Sequence, residues 1–439
     1  IIMNQDRKTI VALDLGNHYQ ALKIKFHDQD VTDAFQVAIH STQLDGKEPS
    51  TMFIQFNSIE DINSAPAFDL TYELIEEHFK YSQNDLNPNW QHFRLENYKQ
   101  QFYRHDGVTP VFGEIMIPIR FLNEENKQTS ENLKLPHIYI AAYYYAIKAA
   151  VEQISKKSRD TNAIQFYFCV PANPEEKRLL FNLACFKAAY LQVIRMRENE
   201  LKKMDQSDEE DDKVKAAKFE MPKFQEQILN FVLEPECGAN QMQIERNQRV
   251  VVFDVGAGTT DITIIHKTDT TTFIDPQSYS CSVGGADIDQ FMLDKYTKKF
   301  SIKIRDLITP MLQHSLKMLN LRIDALKDFT EGDEDAEFLL MDFSCFEMDM
   351  QKFLHDRELF EKTMKEFKKL AEKDGEKIEI FYQDELKNLS EIDVKLLKPE
   401  DLDSFQWIIP AKIIAEAADQ MVDKITKAFD IQFEEIKNK

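Results

Sequence analysis

Two stretches of the chain, 240 positions apart, each run from an apolar segment into an aspartate and then into a glycine turn with small polar residues. The first is Ile10 to Leu15, with Asp14 near its end, followed by Gly16-Asn17-His18-Tyr19; its return, Ala21 to Phe26, alternates apolar and polar residues. The second is Val250 to Val255, with Asp254, followed by Gly256-Ala257-Gly258-Thr259-Thr260; its return, Asp261 to His266, alternates through Ile262 and Ile264. An apolar run, a short glycine turn and a return with a period of two predict a hairpin in each case. Successive backbone N–H groups in such turns form concave nests for phosphate oxygens, and glycine admits a ligand that a Cβ would block. An aspartate at each strand end suits Mg²⁺, which sheds its water shell reluctantly and is held by a few carboxylates together with phosphates. Asp14, Asp254 and Glu234 are the carboxylates expected at such a centre, with Asp14 and Asp254 holding the metal through its water. Either hairpin alone would suit an ordinary polar turn; their repetition points to chemistry.

Glycine is scarce, 11 in 439 residues, and five of the 11 (Gly16, Gly256, Gly258, Gly284 and Gly285) follow apolar runs. Glycine confined to strand ends predicts positive φ or close backbone approach there. A chain of this length exceeds what one core organises, and the repeated hairpin suggests two similar halves facing each other across a cleft.

Around these motifs other elements can be placed. His137 to Gln153 carries Ile140, Tyr144, Ile147 and Val151 at helical spacing, and Ile164 to Val170 reads as a strand. Next, Asn173 suits an N-cap, Pro174 the first helical position, and Glu175 and Glu176 the positive end of a helix dipole, so a helix is predicted to about Leu191. Residues 196–227, with six acids between Asp205 and Asp212 and lysines on both flanks, read as an exposed charged insertion. A strand over Ile228 to Leu233 leads to Glu234-Pro235-Glu236. Residues 45–135 show no clear period beyond a short strand and turn at Val111-Phe112-Gly113-Glu114. Residues 300–400 read as mostly helical and charged, and Pro410 to Phe429 as an amphipathic helix with Ile413, Ile414, Ala417, Met421, Ile425 and Phe429 on one face.

Composition excludes several classes. Acidic residues outnumber basic ones 76 to 54, for a net charge of −22, and no clustered basic face is present. Such a chain repels phosphate backbones and anionic lipid, which argues against nucleic acid as a partner. The five cysteines, Cys169, Cys185, Cys237, Cys281 and Cys345, never come close enough in sequence for CxxC zinc or redox spacing. Their odd number suits reduced thiols in the cytosol or an organellar matrix. No apolar run reaches the roughly 18 residues of a membrane span, and the polar start Asn4 to Lys8 is unlike a signal peptide. Other nucleotide and hydrolase signatures are missing: there is no GxxxxGK[ST], HExxH or GxSxG. Gly256-Ala257-Gly258 opens like a dinucleotide fingerprint, but Asp261 stands where its third glycine belongs and a strand pattern follows.

Asp14-Leu15-Gly16-Asn17-His18-Tyr19 resembles the first phosphate motif of the heat shock protein 70 family, and Asp254 to Asp261 resembles the second. Val170-Pro171-Ala172, with Arg178, Ala188, Ala189 and Leu191 after it, is similar to the segment before the family's connecting motif. Glu234-Pro235 is similar to that motif itself, in a form (Leu233-Glu234-Pro235-Glu236) that leans towards the atypical branch. Val283-Gly284-Gly285-Ala286-Asp287-Ile288-Asp289 resembles the family's glycine pair, and the similarity runs in order over most of residues 8–300.

The resemblance implies an α/β, two-lobed actin-like ATPase (ribonuclease H-like) fold with a central nucleotide cleft. Lobe I would span 1–242, including the insertion at 196–227. Lobe II would span 243–439, with a helical subdomain at about 300–400 and the C-terminal end of the domain missing. It further implies ATP or ADP with Mg²⁺ as cofactors. Asp14, Glu234 and Asp254 would arrange the metal and the attacking water, and Thr259 would touch the terminal phosphate. Asn17, His18 and Tyr19 would contact phosphates through their backbone, joined by Gly16 and the Gly256-Ala257-Gly258 turn, with Gly284 and Gly285 along the nucleotide. The chain also departs from the pattern. Asn17 and His18 replace threonines, and Ala257 replaces a glycine, which would be strained in a left-handed conformation. Ile117 stands where the family has a catalytic lysine, with Arg120 the nearest cation, and no match to the adenine-gripping helix is found near Leu316 to Lys327. The expected function is a chaperone-type ATPase with slow hydrolysis and protein partners or clients. Its rivals are a catalytically weak structural subunit of a larger assembly and, further off, a small-molecule kinase of the same fold.

Overall fold

The computed structural model describes residues 8–16, 19–26, 34–39, 48–82, 85–95, 115–122, 128–157, 164–170, 176–204, 221, 223–225, 228–234, 237, 248–267, 272–274, 279–323, 337–342, 353 and 356–437. The chain is mixed α/β and divides into two compact units, Ile1–Ser282 and Val283–Lys439.

In the first unit, strands β1 (Thr9–Leu15) and β2 (Tyr19–Lys25) form the expected hairpin, Leu15 facing Gln20 across the turn. β3 (Phe35–Val37) and β4 (Glu48–Pro49) both pair with β2. A small sheet follows from β5 (Met52–Phe56), helices α1 (Glu60–Asn63) and α2 (Tyr72–His78), β6 (Phe79–Lys80) and β7 (Gln91–Leu95), in the order β6-β5-β7. β8 (Met116–Leu122) and β9 (Gln128–Lys134) make a second hairpin. Residues 45–135 thus hold several short elements where the sequence showed no period; their strands are two to seven residues long. The strand and turn expected at 111–114 lie outside the described residues.

Helix α3 (Leu135–Lys157) then carries the chain back so that β10 (Ile164–Val170) lies parallel to β1, and α4 (Glu176–Met204) brings β11 (Leu229–Leu233) parallel to β10. Parallel neighbours need crossovers of this kind. Ile164, Phe166, Phe168 and Val170 alternate into the core, where Tyr143 of α3 meets Phe168 at 5.2 Å and Phe186 of α4 meets Phe166 at 5.2 Å. The Tyr143 hydroxyl donates to Asn182 Oδ1 at 3.0 Å, joining the two helices. α4 runs well past Leu191 because its apolar stripe continues through buried Val193 and Met196. Residues 196–204 are therefore helical rather than part of an exposed insertion. The proposed cap at Asn173 and Pro174 lies outside the described residues. Contrary to the reading of the sequence, Glu176–Lys202 is long and apolar enough to cross a membrane by length and composition; 56% of its most apolar window is buried inside the fold, as a core helix would be. Elsewhere in this unit Trp90 stacks on His78, ring centroids 5.6 Å apart.

The second predicted hairpin also forms in this unit, from β12 (Arg249–Val255) and β13 (Thr260–Lys267). β14 (Thr272–Ile274) and β15 (Tyr279–Cys281) pair with β13.

The second unit opens with α5 (Gly285–Thr297) and α6 (Ile302–Ile323). β16 (Glu337–Asp342), α7 (Arg357–Lys373), β17 (Lys377–Tyr382), β18 (Glu385–Asn388) and β19 (Phe405–Pro410) come next, closed by α8 (Ala411–Lys437). The order β16-β19-β17-β18 is a four-stranded antiparallel sheet, so residues 300–400 carry three of its strands beside the helices expected there. Its core is built round fully buried Trp407, which meets Tyr296 at 5.0 Å and Phe367 at 5.5 Å and donates from Nε1 to Glu376 Oε2 at 3.1 Å. α7 begins where the Asp356 carboxylate accepts from the Leu359 N–H at 2.9 Å, and ends before Gly375 at φ +67°. Gln383 and Asp384 both take positive φ, +53° and +63°, in the two-residue turn between β17 and β18. α8 matches the predicted amphipathic helix, with Ala417, Ile425 and Phe429 buried.

Candidate functional site

β1 and β12 place their aspartates at equivalent points, one residue before the strand end. Asp14 is exposed and Asp254 half-buried. The register of β1 on β10 pairs Leu13 with Phe168, which sets Asp14 beside Cys169 at the next step. β10 and β11 pair Cys169 with Val232 and Val170 with Leu233, so Glu234, half-buried, follows directly at the end of β11.

The electrostatics connect these groups. The Cys169 thiol is pushed up, first by its hydrogen bond with Cys237, then by burial and by the charges of Asp14 and Glu234. Asp261 is pushed up to about 6, chiefly by burial and then by the charges of Glu234 and Asp254; hydrogen bonds from Ser280 and Thr259 oppose the rise. Glu234 therefore influences groups beside both hairpins, and Asp14, Glu234, Asp254 and Asp261 share one acidic neighbourhood. Asp261 was not singled out from the sequence, although the register could have found it. A four-residue turn closed by Val255 and Thr260 puts Asp261 directly opposite Asp254, where like charges repel. Asp261 Oδ2 accepts from the Thr259 hydroxyl at 3.2 Å, while its Oδ1 is buried without a hydrogen-bond partner.

Gly256 donates to the Thr259 carbonyl at 2.9 Å, and a Cβ at Gly256 would meet that oxygen at 3.2 Å. Close approach, rather than conformation, is what glycine provides at this position. Among the described residues positive φ is confined to Gly375, Gln383 and Asp384, so Gly16, Gly256, Gly258 and Gly284 do not adopt it and Ala257 carries no left-handed strain. Gly258 is buried; Gly16, Gly256, Ala257 and Thr259 are half-buried. Asn17 and His18 lie outside the described residues, and Tyr19 begins β2.

Gly284 and Gly285 belong to the second compact unit, at the start of α5. The Gly284 N–H donates to Asp287 Oδ2 at 3.0 Å, and Asp287 Oδ1 is 3.0 Å from Lys424 Nζ on α8. The acid after this glycine pair thus caps one helix and binds another.

Ile117 is buried, 9% exposed, between Ile115 and Ile119 in the core of the first unit, and pairs with Leu133. It faces apolar side chains and offers no cation there. The side chain of Arg120 lies outside the described residues. Among the described residues no three His, Cys, Asp or Glu side chains converge to ligate a metal directly.

A mixed α/β protein of two compact units, with paired acid-and-glycine hairpins in one of them, is the class these observations define. No family model matches the chain. Over 76 residues it is 34% identical to the chaperone protein DnaK of Deinococcus proteolyticus, a stretch that makes up 17% of this chain and 12% of that protein. This local similarity is to a heat shock protein 70 and covers a small part of either chain.

Proposed function

We propose that the chain is a heat shock protein 70-like, ATP-binding domain of the actin-like ATPase fold, with Mg-ATP held between lobes at 1–242 and 243–439 and a chaperone-type role among protein partners. The lobes follow the repeat of the hairpins and are a different division from the two compact units. The reading extends to a cytoplasmic or organellar-matrix location, in keeping with the reduced thiols. The observation that carries it is that Glu234, at the end of β11, lends its charge both to Cys169 beside Asp14 and to Asp261 opposite Asp254. Acids whose charges help burial to raise the proton affinity of Asp261 favour a bound cation over their own repulsion. Carboxylates too dispersed to ligate directly suit an ion that keeps its water shell, as Mg²⁺ does. When bound, Mg²⁺ would neutralise charge on the phosphates.

The residues of this chain then divide the work. The turn at Gly256-Ala257-Gly258-Thr259 and the one after Gly16 would present backbone N–H groups to phosphate oxygens. Asp14 and Asp254 would hold metal-bound water, and Glu234 would orient the attacking water. Asp261 would hold the Thr259 hydroxyl in place. With Ile117 in the core, this position supplies no cation as the terminal phosphoryl leaves, and the loss of one such contact typically costs roughly 10²–10³ in rate. Binding with slow turnover is the expected outcome. The same buried Ile117 favours a second reading, in which the chain is a catalytically weak or inactive structural subunit of a larger assembly.

Calorimetric titration of the purified chain with ATP and ADP, with and without Mg²⁺, tests the proposal. Binding should require Mg²⁺ and weaken at least about tenfold in Asp254→Asn. Turnover of radiolabelled ATP should stay well below about one per second. Absence of binding in the native chain would overturn the nucleotide reading. Turnover above that rate, lost in Asp254→Asn, would overturn the slow-hydrolysis claim alone.

A further inference from the structure

The thiols of Cys169 and Cys237 lie 3.9 Å apart although 68 residues separate them in sequence. Parallel pairing of β10 with β11 brings them together, one on β10 and the other four residues beyond the end of β11. Both are half-buried, whereas Cys185 and Cys281 are buried. Bonded sulfurs stand about 2.05 Å apart, so side-chain rotation of about 2 Å would close the gap. Cys169 lies on an inner strand of the sheet, while Cys237 follows the strand end that carries Glu234.

We infer that Cys169 and Cys237 form a reversible dithiol–disulfide site that responds to hydroperoxides and, when oxidised, ties the segment carrying Glu234 to β10 beside Asp14. The chemistry balances with hydrogen peroxide as oxidant. One thiol sulfur attacks the peroxide O–O bond and becomes a sulfenic acid, releasing one water. The second thiol sulfur attacks the sulfenic sulfur and displaces its hydroxyl as a second water once the proton is transferred. Two thiols and one peroxide give one disulfide and two waters; the sulfurs lose two electrons and the peroxide gains them. With the second sulfur 3.9 Å from the first, intramolecular closure should outrun further oxidation.

The test uses the full chain, reduced and then exposed to hydrogen peroxide, with free thiols alkylated before proteolysis and mass mapping. A peptide pair linked through Cys169 and Cys237 is expected, absent from Cys169→Ser and from Cys237→Ala and undone by dithiothreitol. The mapping is done on native protein without nucleotide, so it stands or falls apart from the ATP reading and does not depend on how the variants fold. Oxidation that leaves both residues alkylatable, links either to another cysteine or takes one to the sulfinic acid instead would overturn the inference. Hydrogen exchange on the oxidised form should show slower exchange just after β11; unchanged exchange there would overturn the claim that the bond ties this segment down.

Discussion

The hairpins β1–β2 and β12–β13 share one plan in sequence and differ in what surrounds them. On its second edge β1 has β10, then β11, with α3 and α4 supplying the core in which Val11, Leu13 and Leu15 are buried. β12 pairs with β13 alone among the described residues, and its Val251, Phe253 and Val255 are 60%, 56% and 47% exposed. Their charges differ as well: Asp14 faces Ala21, whereas Asp254 faces Asp261. Local pattern therefore sets the turn and the alternation, while the neighbouring elements set how much each hairpin contributes to stability. The facing acids fall on the less supported one.

The largest effect should come from the core that backs the first hairpin. Ile117→Lys puts a cation among buried apolar side chains and should cost about 4 kcal/mol in urea unfolding, without speeding ATP turnover; a faster ATPase of near-native stability would show that this side chain reaches the site. Leu13→Ala should cost about 3 kcal/mol and Phe253→Ala under about 1 kcal/mol. Equal losses would erase the difference between the hairpins.

Asp261→Asn should act in the opposite direction. Its folded-state proton affinity is raised from 3.8 to about 6, so the folded protein holds this proton more tightly than the unfolded chain does. That contribution is fully present below the unfolded value and is lost as pH rises through about 6. At pH 8 the ionised, crowded carboxylate remains as a cost, and Asn should raise stability by about 2 kcal/mol, a gain that vanishes near pH 4. Thermal unfolding across this range measures it, and a gain independent of pH would exclude ionisation as the cause. The smallest effect concerns the first hairpin again. Ala21→Asp recreates the facing acids opposite exposed Asp14, and should cost no more than about 1 kcal/mol, falling with added salt.

How much of this was legible depended on local punctuation. The strand at Ile164 to Val170 and the return strands of both hairpins alternate between glycine-bearing or polar breaks, and these elements formed as read. The sheet of the second unit did not announce itself. Lys377 to Tyr382 alternates, with Ile378 and Ile380 buried, but it sits between charged helical stretches, and its hairpin turn uses Gln383 and Asp384 in a conformation usually marked by Asn or Gly. At the candidate site, Asp14, Glu234 and Asp254 were visible as acids at strand ends. Asp261 needed the exact register of the turn, and the meeting of Cys169 with Cys237 needed a parallel crossover that no local pattern encodes. The close approach expected of glycine held at Gly256, but the positive φ did not.

The two tryptophans of the chain fall one to each compact unit, Trp90 stacked on His78 in the first and Trp407 sealed within the second. The protein thereby carries a separate optical reporter for each. Trp407, shielded from water, should emit at shorter wavelength and resist quenching by acrylamide. Trp90, half-buried against an imidazole, should be the more quenchable. With either one replaced by Phe, the fluorescence of the other tells whether the two units unfold together or in turn.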